Sequence, residues 1–113
     1  MHMNIELDMI LPQMVQIYRS VYGDQIVRIL LYGSYARGDY QADSDIDIVA
    51  IVQGERSDLQ ERLKSIWDAS SELELEYDTI LSPTVIPYDE YEKYKSCLPY
   101  YKNIESEGVE IVA

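Results

Sequence analysis

Asp45 and Asp47 stand two positions apart at the start of an apolar run, Asp45-Ile46-Asp47-Ile48-Val49-Ala50-Ile51-Val52. In a strand, side chains at i and i+2 leave the same face, so these two carboxylates can share metal ions. Mg²⁺ takes carboxylate, water and phosphate oxygens in octahedral geometry, so the pair and a nucleoside triphosphate together would complete its shell. Two such ions, or Mn²⁺ in their place, would neutralise the phosphates, orient an acceptor oxygen and stabilise departing pyrophosphate. Ten residues separate Gly33-Ser34 from Asp45. Gly33 has no side chain to bar a phosphate from the backbone, and Ser34 opens a short helical turn whose N–H groups and hydroxyl can meet phosphate oxygens. Arg37, one turn on, could contact phosphate or pair with Asp39 or Asp43. Asp78 is the expected third carboxylate, placed by a later strand, with Glu74 and Glu76 as alternatives on the same strand face.

Taken singly, each half has a plainer explanation: an Asp-x-Asp at a strand start is usually a solvated end, and Gly-Ser is usually a turn. Together they are harder to dismiss. At average residue usage the joint spacing arises by chance in roughly one in a thousand chains of this length, and each half also falls where its structural context requires. The triplet Glu72, Glu74 and Glu76 reads as a solvated edge.

The elements that must hold these residues follow from periodicity. Leu7, Ile10, Leu11, Met14, Val15, Tyr18, Val21 and Tyr22 recur at helical spacing, with Asp8 available as a cap and Gly23 as a stop. Residues 26–32 read as a buried strand ending at Gly33, 34–38 as one helical turn, and 45–52 as a second strand closed by Gly54. Ser57 and Gln60 form an apparent capping box for a helix whose buried stripe is Leu59, Leu63, Ile66 and Trp67. The alternation over 73–81 predicts a third strand stopped at Ser82-Pro83. The tail from Tyr88 predicts two helices parted at Pro99, then Gly108 and a short end over Val109 to Val112. This order predicts an α/β (α+β) chain, a small mixed sheet flanked by helices, as a single domain over 1–113.

Composition narrows the partners. Nine Lys and Arg against twenty-one Asp and Glu give a net charge of −12, which repels a nucleic-acid backbone, so no direct nucleic-acid contact is expected. Bound cations would invert the local potential where the carboxylates converge. Cys97 is the only cysteine, which rules out an internal disulfide and a multi-thiolate zinc site and fits a reducing, cytoplasmic setting. No apolar run reaches transmembrane length and the N-terminus lacks the order of a signal peptide, so no membrane association is expected. His2, the sole histidine, is assigned no role. Eleven Tyr, one Trp and no Phe fit either half-wet tyrosine surfaces buried on assembly or a tyrosine-rich core edge.

The block Gly33, Ser34, ten residues, then Asp45 and Asp47, within the string GSYARGDYQADSDIDI, resembles the signature of the DNA polymerase β-like nucleotidyltransferase superfamily. Among its branches the chain resembles the minimal nucleotidyltransferases of the MNT antitoxin type, over nearly its whole length and including the ending LPYYKNIESEGVEIV. The resemblance implies a polymerase β-like nucleotidyltransferase fold, with Asp78 as the family's third metal carboxylate on a later strand. It also implies ATP as donor and a HEPN-domain ribonuclease toxin as partner in a hetero-oligomer, silenced by transfer of AMP to one of its tyrosines. Two other functions compete. One is a small-molecule nucleotidyltransferase of the aminoglycoside-modifying kind, for which 113 residues leave no drug-holding helices. The other is a catalytically silent acidic module that blocks a basic partner by charge, which would need no ordered metal geometry.

Overall fold

The computed structural model describes residues 5–41 and 43–111, with side chains from residue 7 onward; His2 and Val112 lie outside them. The chain runs α1 (Ile5–Tyr22), a 3-10 turn (Gly23–Gln25), β1 (Ile26–Tyr32), α2 (Gly33–Arg37), β2 (Ile46–Val52), α3 (Arg56–Tyr77), β3 (Leu81–Pro87), α4 (Tyr88–Tyr94), α5 (Pro99–Glu107) and β4 (Val109–Glu110). The strands form one mixed sheet ordered β3-β2-β1-β4, with β1 antiparallel to β2 and β4, and β2 parallel to β3. The expected α/β class with a small mixed sheet is what the chain adopts.

Strand alternation divides the core. Ile29, Leu31, Ile46, Ile48, Ala50, Val52 and Val85 face one side, where they pack under Ile10, Met14 and Tyr18 of α1 and Leu59, Leu63 and Ile66 of α3. Leu30, Val49, Ile51 and Ile86 face the other, covered by Tyr91 of α4 and Tyr101 and Ile104 of α5. Each such fully buried large side chain stabilises by about 1.5–3 kcal/mol relative to exposure. Tyr18 is fully buried, and its hydroxyl donates to the Thr84 carbonyl at 2.8 Å, so burial leaves no unmet polar group there. Of the tail tyrosines, Tyr91 and Tyr101 are core residues, as a tyrosine-rich core edge requires.

Four expectations are corrected. Asp8 lies inside α1 rather than capping it, and the N-cap of α3 is Glu55 with no side-chain cap bond, so Ser57 and Gln60 make no capping box. Trp67 is 50% exposed, its indole N–H donating to the Pro83 carbonyl at 3.0 Å, so it lies beside the buried stripe rather than in it. The most consequential correction falls on residues 73–81. The alternating Leu73-Glu74-Leu75-Glu76-Tyr77 is the end of α3, where Leu73 is buried and Leu75 is 86% exposed. Glu and Leu are both strong helix formers, and the stripe of Leu59, Leu63, Ile66, Ser70 and Leu73 keeps helical phase to the end. The third strand begins only at Leu81 and passes through Pro83, which a strand at the sheet edge tolerates because its outer side needs no N–H donors.

Candidate active site

The sheet's C-terminal end of β1 and N-terminal end of β2 lie side by side because the strands are antiparallel, with Tyr32 opposite Asp47. The chain leaves β1 at Gly33, turns through five residues of α2 and returns to begin β2. The glycine is dictated at that corner. Gly33 has φ +74°, in the left-handed region, and a Cβ built there would collide with Oδ2 of Asp47. The carboxylate of Asp47 is therefore seated against the backbone at the entry to α2. Tyr32, the N-cap of α2, makes no side-chain cap bond, and the first turn of a helix carries N–H groups without intrahelical partners. Ser34 stands in that turn.

Burial, and next the charge of Asp45, push the Asp47 carboxyl above its ordinary range, with Arg37 partly opposing them. Two carboxylates brought together at the start of a strand, Asp47 half-buried and Asp45 exposed just before it, are what a cation would stabilise. Arg37 is itself held by Asp39 at 3.2 Å and by Glu107 of α5 at 3.5 Å. Of the partners weighed for it, Asp39 is the one observed, and Arg37 also reaches Asp47 electrostatically.

The third expected ligand is not on a strand. Asp78 is the C-cap of α3 at φ +51°, where its N–H bonds the Glu74 carbonyl, and it lines a recess with Asp43, Ser44, Thr79 and Ile80. Glu74 and Glu76 lie on α3, and the Glu74 carboxylate accepts the Leu81 N–H at 2.7 Å. The residue that β3 sets abreast of Asp47 is Ser82, and its hydroxyl approaches Oδ2 of Asp45 at 3.5 Å. Among the described residues no group of three or more His, Cys, Asp or Glu is placed to hold a metal ion. The donor set at hand fits a divalent ion held by Asp45 and Asp47, with the remaining positions open to water and phosphate oxygens.

Three residues that the sequence did not assign to the site, Tyr32, Ser82 and Tyr100, line this place. Tyr32, Asp47 and Ser82 form a row across β1, β2 and β3, and with Ile48, Val49, Thr84 and Tyr100 they enclose a cavity of about 140 Å³. Tyr32 was detectable as the residue before Gly33. Ser82 was detectable only with the correct start of β3, and nothing local marks Tyr100.

Residues 11–111 match the family described as the nucleotidyltransferase domain. A curated protein of Methanocaldococcus jannaschii, provisionally named a protein adenylyltransferase, is 35% identical over 94 residues, covering 81% of this chain and 85% of its own. The solved structure of a toxin-antitoxin with AMP-PNP superposes with a TM-score of 0.57 at 16% identity, covering 88% of this chain and 70% of that one. The toxin-antitoxin MntA-HpeT superposes with a TM-score of 0.55 at 17% identity, covering 90% and 71%. At those identities the two structures share the fold.

Proposed function

Because the chain belongs to the nucleotidyltransferase domain family, we propose that it is the adenylylating antitoxin of a toxin-antitoxin pair. In this reading it works in the cytoplasm, in a hetero-oligomer, and transfers AMP from ATP to a tyrosine of a HEPN-type ribonuclease toxin. The observation that carries the reading is the carboxylate of Asp47 packed against Gly33, with Asp45 two residues upstream and Ser34 in the adjoining helical turn. Support for a protein acceptor comes from the M. jannaschii relative's name, and support for an ATP-like donor and a toxin partner from the titles of the structural neighbours.

Asp45 and Asp47 would hold Mg²⁺ or Mn²⁺, which when bound neutralises the triphosphate and stabilises the departing pyrophosphate. Gly33 lets the phosphates approach the main chain, and the Ser34 hydroxyl with the first-turn amides of α2 donates hydrogen bonds to their oxygens. Arg37, already tied to Asp39 and Glu107, adds positive charge to the same edge of the site. Tyr32 and Ser82 flank Asp47 and exclude part of the solvent from it. Asp78 has no part in this scheme. The acceptor comes from the partner, because the cavity beside Asp47 has room for about four or five waters at ~30 Å³ each and not for a drug-sized molecule.

Labelled ATP with Mg²⁺ and the co-purified toxin tests this directly. AMP is expected on a toxin tyrosine and is expected to vanish with Asp45→Asn, while Ser34→Ala causes a smaller loss because backbone amides remain. Inhibition of the toxin that persists with no nucleotide attached would instead make this an acidic blocking module.

A further inference from the structure

The cavity beside Asp47 has one wall that the proposed transfer does not use. Tyr100, the second residue of α5, stands edge-on to Tyr32 with ring centroids 5.8 Å apart and planes at 89°. It lines the same cavity as Thr84 and Asp47. The neighbouring tail tyrosines are differently placed. Tyr91 and Tyr101 are buried and donate to the carboxylates of Glu105 and Glu90, so their hydroxyls are engaged away from the site. Tyr100 is 46% exposed and lines the cavity together with Asp47 and Ser82. Where β3 could have carried a carboxylate it carries Ser82, so no anionic side chain of that strand lines the cavity with Tyr100 and Asp47.

We propose that Tyr100 is itself an acceptor, so that without its partner the protein attaches AMP from ATP to its own Tyr100. This rests on the adenylyltransferase reading above. In the step, Oη of Tyr100 bonds to the α-phosphorus of ATP and the bond from that phosphorus to the bridging oxygen breaks. Pyrophosphate leaves with the electron pair, and the phenolic proton passes to solvent. The product is a phosphodiester whose negative charge stands beside Asp47 and whose bulk obstructs the mouth of the cavity, so the modified protein is a poor donor site for a second turnover. A partner that presents its own tyrosine must take the place Tyr100 holds, which makes a phenolic hydroxyl the acceptor class the site accommodates.

The full-length protein is incubated with Mg²⁺ and α-labelled ATP without partner, and peptide mass spectrometry locates the label. One AMP is expected on the peptide holding Tyr100, appearing at a first-order rate independent of protein concentration, and absent from Tyr100→Phe and Asp45→Asn. Mapping on the wild type needs no variant, so a folding defect in Tyr100→Phe does not obscure the result. Label on another residue, label that persists in Tyr100→Phe, or an unlabelled chain under conditions where the toxin is labelled would each overturn the inference and leave the proposed function standing. An unlabelled chain and an unlabelled toxin, with ATP bound, would overturn both.

Discussion

At Gly33 two demands coincide: a left-handed backbone and space for the Asp47 carboxylate. Gly38 shares the first demand alone, at φ +84° with nothing within 4 Å of an added Cβ. Alanine at either position should therefore lose roughly 1–2 kcal/mol in denaturant melts, the cost of a left-handed non-glycine residue. Only Gly33→Ala should also lose Mg²⁺-dependent ATP binding by calorimetry; equal binding by the two variants would remove the link between glycine and carboxylate. Asp47 supplies a second expectation. Its carboxyl is raised by burial and then by Asp45, so the folded state holds the proton more tightly than the unfolded one. That contribution favours folding fully below the unfolded carboxyl pKa and is lost as pH rises through the raised folded value. At neutral pH the ionised group thus opposes folding of the metal-free protein. Asp47→Asn should gain stability there in denaturant melts, with the gain shrinking toward zero as pH falls through the carboxylate range. A variant that melts earlier at pH 7 without metal would mean that Asp47 is a structural acid.

Among the elements, α3 and its exit decide which residues reach the site. The helix continues to Tyr77, the chain reverses through Asp78 in a left-handed conformation, and the strand that follows presents Ser82 rather than Asp78 beside Asp47. Asp is tolerated in that conformation and Gly prefers it. Asp78→Gly should accordingly raise stability by about 1 kcal/mol while AMP transfer stays at the wild-type rate; a collapse of transfer would restore Asp78 as a metal ligand. Ser82→Asp tests the same geometry from the other side. A third carboxylate abreast of Asp47 should tighten Mg²⁺ binding several-fold and lower the melting temperature in chelator, since like charges then crowd one strand end.

At the scale of the whole molecule the −12 charge acts on both the proposed donor and the proposed partner. Bare ATP meets a repulsive field, so calorimetry in excess chelator should show no heat of ATP binding, and unchanged affinity there would remove the metal-bridged site. A basic partner of the kind proposed meets attraction. Its association rate constant should fall by roughly tenfold or more from low to physiological ionic strength, with little change in dissociation. A salt-independent association rate would place the interface on the uncharged parts of the surface.

The amino-acid sequence by itself determined the local half of the site. Gly33, Ser34, Asp45 and Asp47 are joined by one corner between two adjacent strands, and the i, i+2 rule puts both acids on one face whatever else the chain does. β1, α2, β2 and the divided tail follow from the same short-range periodicities. The third strand was beyond that reach because Leu73-Glu74-Leu75-Glu76-Tyr77 satisfies both a two-residue and a helical repeat. The choice was made by the continuous stripe that α3 packs against α1 and β3, not by the pentapeptide itself. Which residue faces Asp47 depended on that choice, since shifting the start of β3 changes every cross-strand partner. Tyr100 came to the site only through α5 folding over the far face of the sheet, more than fifty residues along the chain from Asp47. No local spacing encodes such an approach; it is set by the burial of Tyr101 and Ile104 against the sheet, which brings Tyr100 to the rim of the cavity.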